Sequence, residues 1–215
     1  LRRTGMDELK ELIKQGKAEE TEARVRELLQ AGNDPQALLR DAMIPAMEEV
    51  GNLFQAGEYY LPEMLLAARA MQAGLEVLKP ILAQHGAGFL GKVVMGTVQG
   101  DIHDIGKNLV TMTLEGAGME VIDLGVDVSP ERFVEAVREH KPLALGMSAL
   151  LTTTMLSMKE TIDALREAGL RDGVKVMVGG AAVRGEFAEE IGADFYGPDS
   201  VAARDYIRRI LESAG

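Results

Sequence analysis

Through the second half of this chain, short apolar runs alternate with amphipathic stretches, and that alternation limits the fold more than any other feature of the sequence. Five runs read as strands: Lys92–Thr97, Glu120–Leu124, Leu143–Ser148, Lys175–Val178 and Asp194–Tyr196. Helical periodicity falls between them at 106–117, 130–140, 152–168 and 184–191, with a last helix at 199–213. Strands separated by a helix each time pair in parallel through right-handed crossovers, so the spacing predicts a doubly wound, five-stranded parallel sheet.

Residues 6 to about 85 carry only helical periodicity. Met6, Leu9, Leu12 and Ile13 form one short apolar face, and Ala18 to Ala31 a second helix. Gly32-Asn33 stops that helix and Asp34-Pro35 starts the next. From Leu38 to Phe54 apolar residues recur at spacings of three and four, with Pro45 expected to kink or divide the pattern. Gly57 closes it, and Leu61-Pro62 opens a fourth helix running through Leu82. Short connections between four helices predict a small bundle. The glycines between Gly86 and Gly91 read as the linker, giving domains at 1–88 and 89–215.

Both halves are acidic, at −4 for residues 1–91 and −7 for 92–215, within a total of −11. A chain without a basic face is a poor match for nucleic acid or an anionic membrane. No apolar run approaches the roughly 18 residues of a membrane span, and the first residues lack the core of a secretory signal, so a cytoplasmic location is expected. With no cysteine, the chain builds no disulfide, iron–sulfur cluster or thiolate zinc site of its own.

Candidate chemistry sits in the loop after the first predicted strand, Gly96-Thr97-Val98-Gln99-Gly100-Asp101-Ile102-His103-Asp104-Ile105-Gly106-Lys107-Asn108. In an open α/β sheet, ligands bind at the carboxyl ends of the strands, where this loop falls. An Asp that accepts the Nδ1 proton of a His fixes the ring's tautomer and leaves Nε2 free as a metal ligand. A lone loop His is more often structural. A phosphate loop fails on spacing: five residues separate Gly100 from Gly106 where four are needed, and Asn108 stands in the place of Ser or Thr. Later strand ends add Ser148, Leu150 and Thr152 to Thr154, then Gly179-Gly180, each of which alone reads more readily as a terminus, cap or turn.

The pattern Asp101-x-His103-x-x-Gly106 resembles the lower-ligand motif of cobalamin-binding proteins. Together with Ser148-x-Leu150 and Gly179-Gly180 it is similar, in order and spacing, to the binding signature of cobalamin-dependent methyltransferases and mutases, across essentially the whole second domain. The resemblance implies a flavodoxin-like, Rossmann-type domain whose cleft takes the nucleotide tail of a corrinoid. It implies His103 as the cobalt ligand in place of the cofactor's own base, Asp101 orienting His103, and Ser148 hydrogen-bonded to Asp101 as the outer member of a relay. Asp104, Gly106, Leu150, Thr152, Gly179 and Gly180 would complete the cofactor's surroundings.

The segment Glu49-Val50-Gly51-Asn52-Leu53-Phe54-Gln55-Ala56-Gly57-Glu58-Tyr59-Tyr60-Leu61-Pro62 resembles the helical cap of methionine synthase and of small corrinoid proteins. That likeness implies that Phe54 and Leu61, with Met64 nearby, shield the cofactor's upper face, and that the cap opens on the 86–91 linker. The function so implied is a methyl carrier, not a complete enzyme in its own right. It would work between a substrate:corrinoid methyltransferase and a second methyltransferase serving a folate, pterin or thiol, with a reductive activator as a further partner. A cobalamin-dependent sensor is the alternative.

Overall fold

The computed structural model describes residues 2–84 and 88–213. His85, Gly86 and Ala87 lie outside the described residues, and with them part of the predicted linker. Backbone contacts divide the chain into two compact units: Leu1–Phe89 with Glu115–Gly118, and Leu90–Leu114 with Met119–Gly215.

Helices are the regular elements of the first unit among its described residues. It comprises α1 (Arg2–Lys14), α2 (Ala18–Gln30), α3 (Pro35–Leu38), a π-helical stretch Leu39–Met43, α4 (Ile44–Gln55) and α5 (Leu61–Gln84). Asp34 caps α3 by accepting the Gln36 amide, with Pro35 pre-set at the first helical position. Pro45 divides the long apolar pattern as its chemistry requires. It has no N–H to continue the ladder, and the chain passes through the wider π turn just before it, then restarts as α4 with Pro45 in the first turn. The buried stripe includes Leu38, Leu39, Ala42, Met43, Ala46 and Val50, and it lies in a core with Leu9, Ile13, Val25, Met71, Leu75 and Leu78.

The second unit contains β1 (Lys92–Thr97), α6 (Ile105–Gly116), β2 (Glu120–Asp123), α7 (Pro130–His140) and β3 (Ala144–Ser148). It continues with α8 (Leu156–Glu167), β4 (Lys175–Gly179), α9 (Gly185–Ile191), β5 (Phe195–Gly197) and α10 (Ser200–Ser213). All neighbours pair in parallel in the order β2-β1-β3-β4-β5. Alternate residues serve opposite faces, as the pleat demands. On one side Val94, Leu145, Val176 and Val178 pack with Phe133 of α7, Met158 and Ile162 of α8 and Ile191 of α9. On the other, Val93, Met95, Ala144 and Met177 pack with Leu114 of α6 and Ile207 of α10. Gly96 permits a close approach of helix to sheet: a Cβ there would stand 2.6 Å from the Phe133 ring.

Two consequences position the site. The chain leaves β1 toward α6 on one face and leaves β3 toward α8 on the other, so β1 and β3 flank the point where the winding reverses, and a crevice opens at their carboxyl ends. The register also aligns the last residues of four strands in one row, Thr97, Ser148, Gly179 and Gly197. One helix differs from the sequence expectation. The predicted 152–168 helix begins only at Leu156, because the residues before it are turned around a buried carboxylate described below.

Candidate functional site

That carboxylate is Asp101, in the loop between β1 and α6, with 1% of its surface exposed. Oδ1 accepts the His103 amide at 3.0 Å and lies 2.8 Å from His103 Nδ1. Oδ2 accepts the Thr154 hydroxyl at 2.7 Å and the Leu150 amide at 2.8 Å, with the Leu151 amide farther off at 3.4 Å. Burial alone pushes this carboxyl's pKa up. The donors from Thr154, His103 and Leu150 outweigh burial and hold the pKa well below the usual carboxylate range. Asp101 is therefore ionised and can only accept, so Nδ1 of His103 is the donor in this pair and Nε2 is the ring nitrogen left for a ligand. The His103 side chain is 49% exposed, so the imidazole is open to a ligand approaching from outside the loop.

The loop carrying His103 is pinned at several points. Thr97 Oγ1 donates to the His103 carbonyl at 3.0 Å, and Asp127 Oδ1 accepts the Gly100 amide at 2.7 Å. Asn108 Nδ2 donates to the Asp104 carboxylate at 3.0 Å, across the first turn of α6. Around the exposed imidazole the same strand ends hold Ile102, Ile105, Leu150 and Leu151, all exposed large apolar side chains. Exposed residues of that kind clustered on loops mark a binding surface. Behind them a cavity of about 400 Å³ opens among the ends of β1, β3, β4 and β5 and the starts of α6 and α10. Its walls are largely apolar, with Met95, Val110, Met177 and Phe195 among them, and its polar lining includes Lys107, Ser148 and Tyr196.

Glycines shape this cavity in three different ways. Gly106 lines it on a helix, and a Cβ there would meet nothing within 4 Å. A Cβ on Gly179 would stand 2.8 Å from the Gly197 carbonyl oxygen. Gly180 has φ +116°, and its Cβ would collide with the Ala149 carbonyl.

Most of the predicted residues of this unit therefore meet at one place. Asp101, His103 and Leu150 share one hydrogen-bonded constellation, Gly106, Ser148, Gly179 and Gly180 line the cavity, and Asp104 and Thr152 are exposed on the adjoining turns. The relay needs one correction. The hydroxyl on Asp101 is that of Thr154; Ser148 ends β3 among the cavity-lining residues, and the chain must turn beyond it before a hydroxyl reaches the carboxylate. Thr154 was legible only as the last of three consecutive threonines, with no sign that it alone is buried. Lys107 also went unmarked. It is 2% exposed, lines the cavity, and donates to both Asp123 and Asn108. In the helical unit, Phe54 is half-buried near the end of α4, Leu61 begins α5 with 44% exposure, and Met64 is buried.

This donor set fits a metal that brings its own equatorial ligands. Among the described residues no group of three or more His, Cys, Asp or Glu side chains is placed to hold a bare ion. A half-exposed imidazole with only Nδ1 engaged by Asp101, exposed apolar side chains on the same loops and a largely apolar cavity suit a large macrocycle with an appended tail.

Comparison with known proteins agrees. Residues 91–205 match a family model described as B12 binding domain, and residues 6–79 match a second model of the same description. Trimethylamine corrinoid protein 1 of Methanosarcina acetivorans is 45% identical over 196 residues, covering 90% of this chain and 91% of that protein. A corrinoid protein of Desulfitobacterium hafniense is 41% identical over 213 residues, covering 96% and 97%. Among solved structures, the methanol:cobalamin methyltransferase complex of Methanosarcina barkeri matches with a TM-score of 0.87 at 33% identity, covering 97% of this chain and 80% of the matched one. The chain belongs to the B12-binding corrinoid proteins of methyltransferase systems, and its cofactor is a corrinoid.

Proposed function

We propose that this protein carries a methyl group between two methyltransferases, with residues 1–88 as a helical cap and 89–215 as the corrinoid-binding domain. The observation that carries the reading is the Asp101–His103 pair, held at a sheet switch point with the imidazole half exposed. When bound, the corrinoid supplies the cobalt on which the methyl group rides. The chain's own residues do the rest. His103 Nε2 would hold the cobalt, with Asp101 fixing its tautomer and Thr154 holding Asp101 ionised and in place. The cavity beside Gly106, Ser148, Gly179 and Gly180 would take the nucleotide tail, and Phe54 and Leu61 of the cap would shield the bound cofactor from solvent.

The relatives' names support a methylated amine as donor. Proteins named for trimethylamine and dimethylamine stand at 42% identity or more, whereas the methanol complex stands at 33%. The acceptor side is a second methyltransferase serving a folate, pterin or thiol, and a reductive activator restores the cofactor after oxidation. Such a carrier works in the cytoplasm; no helix among the described residues is long and apolar enough to cross a membrane.

The test loads the protein with corrinoid and incubates it with isotopically labelled trimethylamine, dimethylamine or methanol and the cognate methyltransferase. Label retained by the re-isolated protein, and passed on to a thiol when an acceptor methyltransferase is added, is the expected result. Failure to retain label from any donor overturns the carrier reading. In the cobalt(II) state, electron paramagnetic resonance should show coupling to one protein nitrogen that His103→Ala abolishes; persistence of that coupling overturns the ligand assignment.

A further inference from the structure

Asp127 stands out in the loop between β2 and α7. Among the described residues only Asp127 and Lys141 have positive φ without being glycine, at 52° and 47°. Lys141 has an ordinary explanation, since it ends α7 in the left-handed conformation that commonly closes helices. Asp127 closes no helix. Instead it exchanges two hydrogen bonds with the loop that bears His103: Oδ1 accepts the Gly100 amide at 2.7 Å, and its own amide donates to the Asp101 carbonyl at 2.9 Å. Gly100 is itself left-handed, at φ +82°. An aspartate in the left-handed region thus faces a glycine that adopts it freely, and the peptides on both sides of the Gly100–Asp101 junction are fixed by one side chain and one amide. Strain of this kind persists only where the surroundings over-determine it, and it gathers at functional sites.

The contact closes a three-sided mounting. From the β3 side, Leu150 and Thr154 hold the Asp101 carboxylate. From the end of β1 itself, Thr97 holds the His103 carbonyl. Asp127 adds the β2 side, next to the lone bridge between Val98 and Val128. Without it, the Asp101 backbone keeps its own amide bond to the Val98 carbonyl at 3.1 Å but loses its ties to the β2–α7 loop, and a shift of the Asp101 backbone is passed to the imidazole through Oδ1.

We propose that Asp127 is a positioning residue that sets the reach of His103 toward cobalt. This rests on the assignment of His103 as the lower ligand. Asp127 hydrogen-bonds to the backbone of Gly100 and Asp101 and is not among the residues lining the cavity, so its loss should loosen the hold of His103 on cobalt while leaving the tail's binding site intact.

The experiment compares Asp127→Ala, Asp127→Gly and Asp127→Asn in the full chain. Asn keeps an oxygen acceptor and tolerates the left-handed region, Gly relieves the backbone but removes the acceptor, and Ala does neither. In the apo protein, amide hydrogen exchange at Gly100 should speed up by about tenfold or more in the Ala and Gly variants, as expected for loss of a charge-assisted bond, and stay near wild type in Asn. In the corrinoid-loaded cobalt(II) protein, the fraction showing protein nitrogen coupling should fall in Ala and Gly and be restored in Asn, while corrinoid affinity changes by less than about threefold. Wild-type coupling in both Ala and Gly alongside accelerated exchange overturns the positioning role, as does a parallel loss of affinity. Absence of nitrogen coupling in the unmodified protein instead refutes His103 as the ligand, and the apo exchange result stands apart from that outcome.

Discussion

Thr154→Val separates the two relays most directly. The substitution keeps the shape of the side chain and removes only the hydroxyl that donates to Asp101 Oδ2 at 2.7 Å. A hydrogen bond to an ionised group contributes about 1.5–3 kcal/mol. Oδ2 keeps the Leu150 amide at 2.8 Å, whereas the Leu151 amide at 3.4 Å is too long to replace the lost donor. The retained partner places the expected cost near the lower part of that range, about 2 kcal/mol. Thr154→Ser keeps the hydroxyl and should lose no more than about 0.8 kcal/mol for the methyl group. Ser148→Ala removes a hydroxyl that does not meet Asp101 and should stay within about 0.5 kcal/mol. With a urea dependence of about 2 kcal/mol/M, the Val variant should unfold about 1 M earlier than the wild type. Amide exchange across residues 149–155 would confine the comparison to the α/β unit. The effect should also depend on pH. Because folding lowers the Asp101 pKa, its bonds stabilise the protein fully above the unfolded value near 3.9, and that contribution fades as pH falls toward the folded value. The gap between Thr154→Val and wild type should therefore be complete at pH 7 and narrow below about pH 4. A destabilised Ser148→Ala beside an unaffected Thr154→Val would refute the reasoning and return the relay to Ser148.

Gly106→Ala adds a methyl group in open space on a helix, so it should stabilise the apo protein by about 0.5–1 kcal/mol. The same methyl projects where the cavity is lined by Gly106, so corrinoid affinity should fall; a spectroscopic titration showing unchanged affinity would mean the tail does not pass this point. Gly180→Ala combines a φ of +116° with a collision against the Ala149 carbonyl, and should cost more than about 3 kcal/mol in urea unfolding. Near-wild-type stability there would show that the turn can reshape without loss.

What the sequence disclosed, and what it withheld, follows from how far each interaction reaches along the chain. The parallel sheet was legible because each strand announces itself within a few residues, and strand-helix alternation leaves few ways to pair them. Asp101 and His103 were legible for the same reason, two residues apart with a short-range bond between them. Thr154 stands 53 residues from Asp101, and nothing local distinguishes it from Thr152 or Thr153, which remain exposed. Only the β1–β3 register, which sets Thr97 beside Ser148, decides which hydroxyl arrives at the carboxylate. The late start of α8 has the same origin. Apolar periodicity favours a helix from residue 152, but the Leu150 amide and the Thr154 hydroxyl are committed to a charge across the crevice, and a helix cannot begin until that turn is complete. Asp127 was hidden more deeply, because its role depends on a backbone angle that Asp adopts rarely and that no pattern in the chain encodes. Local propensity thus specifies the frame, and the departures from it that no helix end explains fall where the loops after β1, β2 and β3 meet around Asp101 and His103.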